Sequence, residues 1–484
     1  MKDWGIQGIM TLKIARLLKP AAALAAAGAL LTGCVSADTL LGTTTMEAKG
    51  PAPAAPEPRL GDDWQAPEPA ERRGFDTGKT VVTLGFDDGN ASQYPAAQVL
   101  TDLGLRGTFY VNSSVLDTEG YLSRNQLDTM VRAGHEIGGH GVQHRNLKFL
   151  DEDEMLRQIC WDRQNLLDWG YQAANFAFPE AGSTKNIEAA AELCGYNSAR
   201  GLGAVESVIG CEGCGSGESF KPANLFQLKA PAMIDADWTL QDMKDLVLNA
   251  ERDNADWVSI TYHHTCPEAC NELSIDIGVF EQFATWLKER EKTTGTVVRT
   301  TDEVIKGQVL PVGQAPSRAP VAQGNIVVNS DITQAPRVDD FSRCWQASSY
   351  GRNTGSAKVA AGGAGEGDGL HLEVTDYQDG DFKFLQRLDL GECASDVIPG
   401  QRYKMSAKYK STTTTQFVVY LRDSRGDWLY WTASDWLKPS GESTQAAWIS
   451  PEIPEGFTGL SFGLSLFSEG ELDADDIEMS VYTD

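Results

Sequence analysis

Between Thr80 and Arg299 short apolar runs alternate with longer amphipathic stretches, and this alternation constrains the fold more than any other feature of the chain. Strand-like runs fall at Val81 to Phe86, Thr108 to Val111, His135 to His140, Asn175 to Phe178, Leu225 to Ala230, Trp257 to Tyr262 and Thr296 to Arg299. Helices are expected between them at Tyr94 to Leu103, Arg124 to Ala133, Asp151 to Leu167, Asn186 to Cys194, Thr239 to Arg252 and Phe280 to Arg290. The third opens on acids that suit its dipole, and the fifth on a capping box, Thr239-Leu240-Gln241-Asp242. Strands joined by helices in this order build parallel βα units, and a βα barrel carries its chemistry on the loops after the strand C-termini.

The acids and histidines cluster at those ends. Gly85-Phe86-Asp87-Asp88-Gly89 closes the first run, and adjacent carboxylates coexist only if a metal, a proton or a partner separates them. His140-Gly141-Val142-Gln143-His144 closes the third, with two imidazoles four apart, a spacing that puts both on one side of a helical turn. His263 and His264 close the run that begins at Trp257, while His135 reads as structural. One carboxylate with His140 and His144 makes a three-ligand site with an open position, the form that keeps a water for hydrolysis. The same set also describes the facial triad of iron oxygenases.

This order of motifs resembles the polysaccharide deacetylase homology domain of carbohydrate esterase family 4, over residues 78 to 310. The resemblance implies a distorted (β/α) barrel with fewer than eight strands. It also implies a divalent metal, zinc by preference, held by Asp88, His140 and His144, with Asp87 as general base and His263 as general acid. Pro179 and Glu180 of the third motif, Asp237 and Trp238 of the fourth, and His264 become candidate substrate-side residues, with Asp237 as a candidate orienter of the acid histidine. Four positions depart from the family pattern: Gly85, Gly141, Ala177 where many relatives carry the arginine that pairs with the base, and Glu180 where an aromatic is usual. The loss of that arginine puts the charge state of Asp87 in question.

The remaining chain supplies context. Lys13, Arg16 and Lys19 precede an apolar stretch from Ala21 to Leu31 that suits a signal peptide and is too short to span a bilayer. Leu31-Thr32-Gly33-Cys34 resembles the bacterial lipobox, which makes Cys34 the expected lipidation site and the cell envelope the expected location. The expected organisation is a signal peptide at 1–33, a Pro/Ala-rich tether at 34–77, the deacetylase domain at 78–307, a linker at 308–323 and an all-β jelly-roll sandwich at 324–484. The sandwich resembles carbohydrate-binding modules. Trp428 and Tyr430 are candidate sugar platforms beside Trp345, Trp431 and Trp436, and Asp475 or Asp476 with Asn329 is a candidate structural calcium site.

A formal charge of -27 disfavours nucleic acid and strongly anionic partners, leaving a polysaccharide and a membrane reached through lipid. Of nine cysteines, those other than Cys34 pair by proximity as Cys160 with Cys194, Cys211 with Cys214, Cys266 with Cys270, and Cys344 with Cys393. A zinc site from Cys211, Cys214, Cys266 and Cys270 is the rival reading. The function expected is metal-dependent removal of acetyl groups, N-acetyl foremost, from a polysaccharide. The alternative is a catalytically silent glycan-binding lipoprotein that keeps the fold.

Overall fold

The computed structural model describes residues 79–313, 324–336, 340–365 and 367–483. The expected signal segment, Cys34 and all of the tether lie outside the described residues, as does most of the linker. No helix among the described residues is long and apolar enough to cross a membrane.

Six of the seven parallel strands of the first sheet are β1 (Val81–Phe86), β2 (Thr108–Val111), β3 (Glu136–Gly139), β4 (Asn175–Ala177), β5 (Ser198–Arg200) and β6 (Trp257–Tyr262), in the order β5-β4-β3-β2-β1-β6. Helices α1 (Gln93–Asp102), α2 (Arg124–Arg132), α3 (Glu152–Asp168), α4 (Lys185–Leu193) and α5 (Leu240–Asp253) alternate with them, so the βα reading holds. A two-stranded sheet of β7 (His264–Cys266) and β8 (Ser274–Asp276), then α6 (Ile277–Thr293), β9 (Val297–Val298) beside β1, and α7 (Thr301–Ile305) complete the unit. Every residue of β1 is buried, as a strand covered on both faces must be, which is why its apolar run is continuous rather than alternating. Phe86 stacks on Phe109 with ring centroids 4.4 Å apart, inside a core that includes Leu84, Ile260, Phe280 and Phe283.

The sheet is an incomplete barrel. Between its edge strands β5 and β6 runs the segment 201–238, touching one edge through a parallel bridge of Arg200 with Leu228 and the other through an antiparallel bridge of Glu218 with Trp257. A strand expected at Leu225 to Ala230 is reduced to that single bridge. Asn224 explains this: its side chain accepts the N–H of Phe226 and its carbonyl that of Gln227, so the backbone turns there instead of extending. The segment 198–200, in contrast, forms a strand that the sequence reading passed over.

The second region is a sandwich of two antiparallel sheets. One holds β10 (Trp345–Tyr350), β13 (Asp381–Gln386), β14 (Ser395–Asp396), β16 (Thr415–Asp423), β17 (Trp428–Ala433) and β19 (Phe457–Leu466). The other holds β11 (Asn353–Ala361), β12 (Asp368–Tyr377), β15 (Arg402–Ser411), β18 (Ser440–Ile449) and β20 (Gly470–Tyr482). Phe384, Met405, Phe417, Phe462 and Leu472 fill the space between them. Trp345 belongs to this core, its indole N–H donated to the Asn329 carbonyl at 3.1 Å, so it is no sugar platform.

Sulfur–sulfur bonds join Cys160 to Cys194, Cys211 to Cys214, Cys266 to Cys270 and Cys344 to Cys393. With those bonds made, Cys211, Cys214, Cys266 and Cys270 offer no thiolates, and the cysteine zinc site is set aside. At the candidate calcium residues the Asn329 amide donates to Ser342 and Arg343, Asp476 pairs with Lys408, and the buried Asp475 Oδ2 has no hydrogen-bond partner.

Candidate metal centre

Register delivers the site. Strands β1 and β6 pair from Val81 with Trp257 to Phe86 with Tyr262, so Asp87 and His263 leave neighbouring strands at the same level. The N–H of Asp87 continues the ladder to the Tyr262 carbonyl at 2.9 Å. Gln93 then donates its side-chain amide to the carbonyls of both Asp87 and His263, and Asn90 donates to that of His263 at 3.1 Å.

Asp88 Oδ1 lies 3.3 Å from His140 Nε2 and 3.2 Å from His144 Nε2. These three are the only group of His, Cys, Asp and Glu side chains among the described residues arranged to hold a metal ion. Although sealed from solvent, Asp88 Oδ1 has no hydrogen bond of adequate geometry. An orphaned carboxylate oxygen facing two imidazole nitrogens is what a cation-binding set looks like, so the residues fit a divalent metal. His140 Nδ1 is 2.7 Å from the Ala177 carbonyl, which can only accept, so the ring donates a proton there and turns Nε2 towards Asp88. Burial alone would raise the Asp88 carboxyl, but His140 and His144 hold it far below the usual carboxylate range. Asp88 and His144 both take left-handed backbone, with φ of 78° and 51°, a strained conformation for residues with a Cβ. His140 and His144 thus converge through an irregular turn and not, as their spacing implied, from one side of a helix.

That turn is held from beneath. Asp162 of α3 accepts the N–H groups of His140 and Gly141 at 3.0 Å each and that of Ser113 at 3.0 Å, while Asn112 donates to the carbonyls of His140 and Gly141. Gly139 is a glycine because a Cβ there would collide with the Tyr196 hydroxyl and Asp162, and Gly141 sits at φ 82°. Burial pushes Asp162 up to about 6 against the pull of these donors.

The missing arginine is present in space. Arg200, at the end of β5, places Nη2 2.5 Å from Asp87 Oδ1, and both side chains are buried. Ala177 and Arg200 are register partners on β4 and β5, so the cation reaches Asp87 from the next strand. The guanidinium lies over the Tyr110 ring at 5.1 Å, and Gly138 leaves the room that Tyr110 occupies. Burial works to raise Asp87, but the charges of Arg200, His140 and His263 together hold it below its ordinary value. Burial lowers His263, partly offset by Asp87 and Asp88, and its Nδ1 has no hydrogen-bond partner.

The other candidates scatter. Pro179 packs beside Gly141, and Glu180 accepts a hydrogen bond from Asn146 at 2.6 Å on the rim two residues beyond His144. His264 shares a hydrogen bond with Ser92 at 2.9 Å and remains half-buried at the rim. Asp237 is exposed and merely donates its N–H to Asp235 in the turn that opens α5, so it does not orient His263. Trp238 lies in the barrel core. In the sandwich Trp428 donates its indole N–H to the Asp389 carbonyl at 3.1 Å beneath Arg422, which makes it a packing residue, whereas Tyr430 is half exposed, edge-on to Tyr420.

The polysaccharide deacetylase family model matches residues 75–199, the stretch that carries β1 to β4 with Asp87, Asp88, His140 and His144. Among solved structures the chain is similar to the Xyl-CE4 domain of a multidomain xylanase from the hindgut metagenome of Trinervitermes trinervoides, at 14% identity over 47% of this chain and 90% of that one, with a TM-score of 0.32. It is similar to a family 4 acetyl xylan esterase from Clostridium thermocellum solved with a cobalt ion, at 16% identity over 47% and 91%, with a TM-score of 0.33. A family 11 carbohydrate-binding module of a cellulosomal cellulase of Clostridium thermocellum is similar at 13% identity over 34% of this chain and 98% of that one, with a TM-score of 0.24. No curated protein matches the chain significantly.

Proposed function

We propose that the barrel, whose polysaccharide deacetylase match spans residues 75–199, removes acetyl groups from a polysaccharide, N-acetyl foremost, at a zinc site made by Asp88, His140 and His144. The observation that carries this reading is the buried pair of Asp87 and Arg200 beside that triad. A divalent cation bound there would polarise the acetyl carbonyl and lower the pKa of a bound water from about 15.7 towards 7. Asp87 then takes the proton of the attacking water, and Arg200 keeps it ionised at neutral pH, the state a base requires. His263 gives a proton to the departing nitrogen; burial lowers its affinity for protons, and the charges of Asp87 and Asp88 work to keep a proton on it until it is transferred. Gln93 and Asn90 fix the backbone from which His263 projects, and Asp162 with Asn112 fixes that of His140. Acetate and a free amine result.

The silent alternative rests on the departures at Gly85, Gly141, Ala177 and Glu180, and for Ala177 the charge is supplied by Arg200. We assign the half-exposed Tyr430 of the sandwich to sugar contact, and the N-terminal segment to export with a lipid on Cys34. Metal-stripped and zinc-restored protein tested on acetylated chitooligosaccharide, glucosamine exopolymer, peptidoglycan and acetylxylan decides the activity. Acetate release is expected to need both zinc and Asp87; silence of folded, zinc-loaded protein across the panel sinks the reading. Labelled palmitate incorporated by the parent and lost in Cys34→Ser checks the lipid.

A further inference from the structure

Gln143 stands between the two metal-site histidines, and nothing in the chemistry above uses it. Its amide N–H groups reach the carbonyls of Leu388 at 3.3 Å and Gly426 at 3.4 Å, both in the sandwich. On its other side it is locked to α3: its backbone N–H donates to Gln158 Oε1 at 3.0 Å, and Gln158 Nε2 donates back to Gln143 Oε1 at 2.9 Å. Gln158, fully buried, also donates to Glu154 at 3.0 Å, and Glu154 accepts the N–H of Leu390 at 2.9 Å, which returns the network to the sandwich. The seam is tight around this network. A Cβ on Gly426 would come within 2.9 Å of Val142 and 2.7 Å of Leu390, and Asn165 of α3 donates to the Arg425 carbonyl at 3.0 Å. Farther along, Arg343 ties Asp151 to Glu392 at 3.1 Å each.

We propose that the sandwich is a positioning element of the metal centre, acting through Gln143. The turn from His140 to His144 has its backbone pinned at the first histidine by Asp162 and Asn112. Past Val142, whose N–H bonds the Gln158 carbonyl, its fixed points are Gln143 and what Gln143 touches. His144, in strained left-handed backbone, follows directly, so the orientation of its ring depends on a residue held half by α3 and half by the β16–β17 turn and the β13–β14 loop. The sandwich therefore forms part of the wall that shapes the centre. Outer partners of this kind typically change metal affinity ten- to a hundredfold when removed, and coupling between two sites is reciprocal.

This inference rests on the reading of Asp88, His140 and His144 as ligands, and its test separates the two. Zinc affinity of the full chain is measured by chelator competition for the parent and for Gln143→Met, with the visible spectrum of the cobalt-substituted proteins beside it. At least a tenfold weaker affinity and a shifted cobalt spectrum are expected, at an unchanged unfolding temperature of the metal-free form. Affinity within twofold of the parent and an unaltered spectrum overturn the positioning role alone. A parent that binds no zinc overturns both readings. Amide exchange of the unmodified protein gives a second route that needs no variant: zinc is expected to slow exchange at Leu390 and across residues 423–427, and exchange that ignores zinc at both places overturns the proposal.

Discussion

Asp87 at the barrel mouth and Asp389 at the seam are both carboxylates sealed from water, yet their surroundings treat them in opposite ways. Around Asp87 stand Arg200, His140 and His263, and their charges outweigh burial. Around Asp389 burial is reinforced by the neighbouring charge of Glu154, against N–H donors from Gly391, Cys393 and Ala394 and the more distant Arg422, and the carboxyl is pushed up to about 7. A buried acid keeps its charge where opposite charges are built around it, and shares a proton where the partners are mainly backbone dipoles and another acid. On the proposed mechanism the mouth needs a charge for chemistry, while the seam needs only a satisfied group.

Removing the cation that distinguishes the two should have the largest effect. Arg200→Met leaves Asp87 buried and unpaired, which should cost about 3 to 5 kcal/mol in denaturant unfolding and reduce acetate release on the order of 100-fold or more at pH 7. The sign with pH follows. With its pKa depressed, Asp87 in the parent stabilises the fold above its unfolded value of 3.8, and that contribution is lost as pH falls through the folded value. In the variant burial governs, so stability should fall as pH rises, and the acid limb of the rate profile should move upward.

Restoring the cation from the other strand sharpens the comparison. The double change Ala177→Arg with Arg200→Ala should recover activity to within roughly tenfold of the parent, if position relative to Asp87 and not chain identity is what counts. Recovery no better than Arg200→Met in kcat/KM would show that β5 itself matters.

At the seam the effect should be smaller and run the other way. Because the folded pKa of Asp389 is raised, the native state holds a proton that the unfolded chain gives up near 3.8, and stability should decline as pH climbs from there through about 7. Glu154→Gln removes the like charge and should shrink the decline between pH 5 and pH 8 by roughly 1 to 2 kcal/mol, read from urea midpoints at each pH. Smallest of all, Glu180→Ala loses one hydrogen bond to Asn146 at the exposed rim and should change stability by less than about 1 kcal/mol and KM by a fewfold at most.

These contrasts also explain what could be read in advance. Strands β1, β2 and β6 were legible because a strand buried on both faces must be continuously apolar, and the acids and histidines at strand ends followed. Arg200 was not, because β5 is three residues long with a small polar start, Ser198-Ala199-Arg200, and carries no periodicity. The alternation itself held the missing signal, since α4 ought to be followed by a strand before any insertion. Asp162, Gln158 and Glu154 lie four apart on α3, and polar residues at that spacing on a long helix read as a solvated face until the turn after β3 is seen to cover Asp162 and Gln158, and the sandwich Glu154. Asp237 failed for the reverse reason: an acid before a tryptophan and a capping box fits a motif and a helix start equally, and only exposure separates them. Trp428 looked like a platform because sequence gives amphipathic area but not what lies above it.

The pairing of β1 with β6 also sets an order in time. A chain made from its N-terminus has Asp88, His140 and His144 complete early, yet Gln93 must await a His263 carbonyl 170 residues later. At 5 to 20 residues per second that is a delay on the order of ten to thirty seconds. In the proposed roles the metal ligands come first, the cation beside Asp87 at residue 200 next, the acid histidine after it, and the carbonyls of Leu388 and Gly426 last. On the proposed function a growing chain could thus capture an ion well before it could perform a reaction, and the turn that carries His144 would reach its final geometry only once Gly426 had been made.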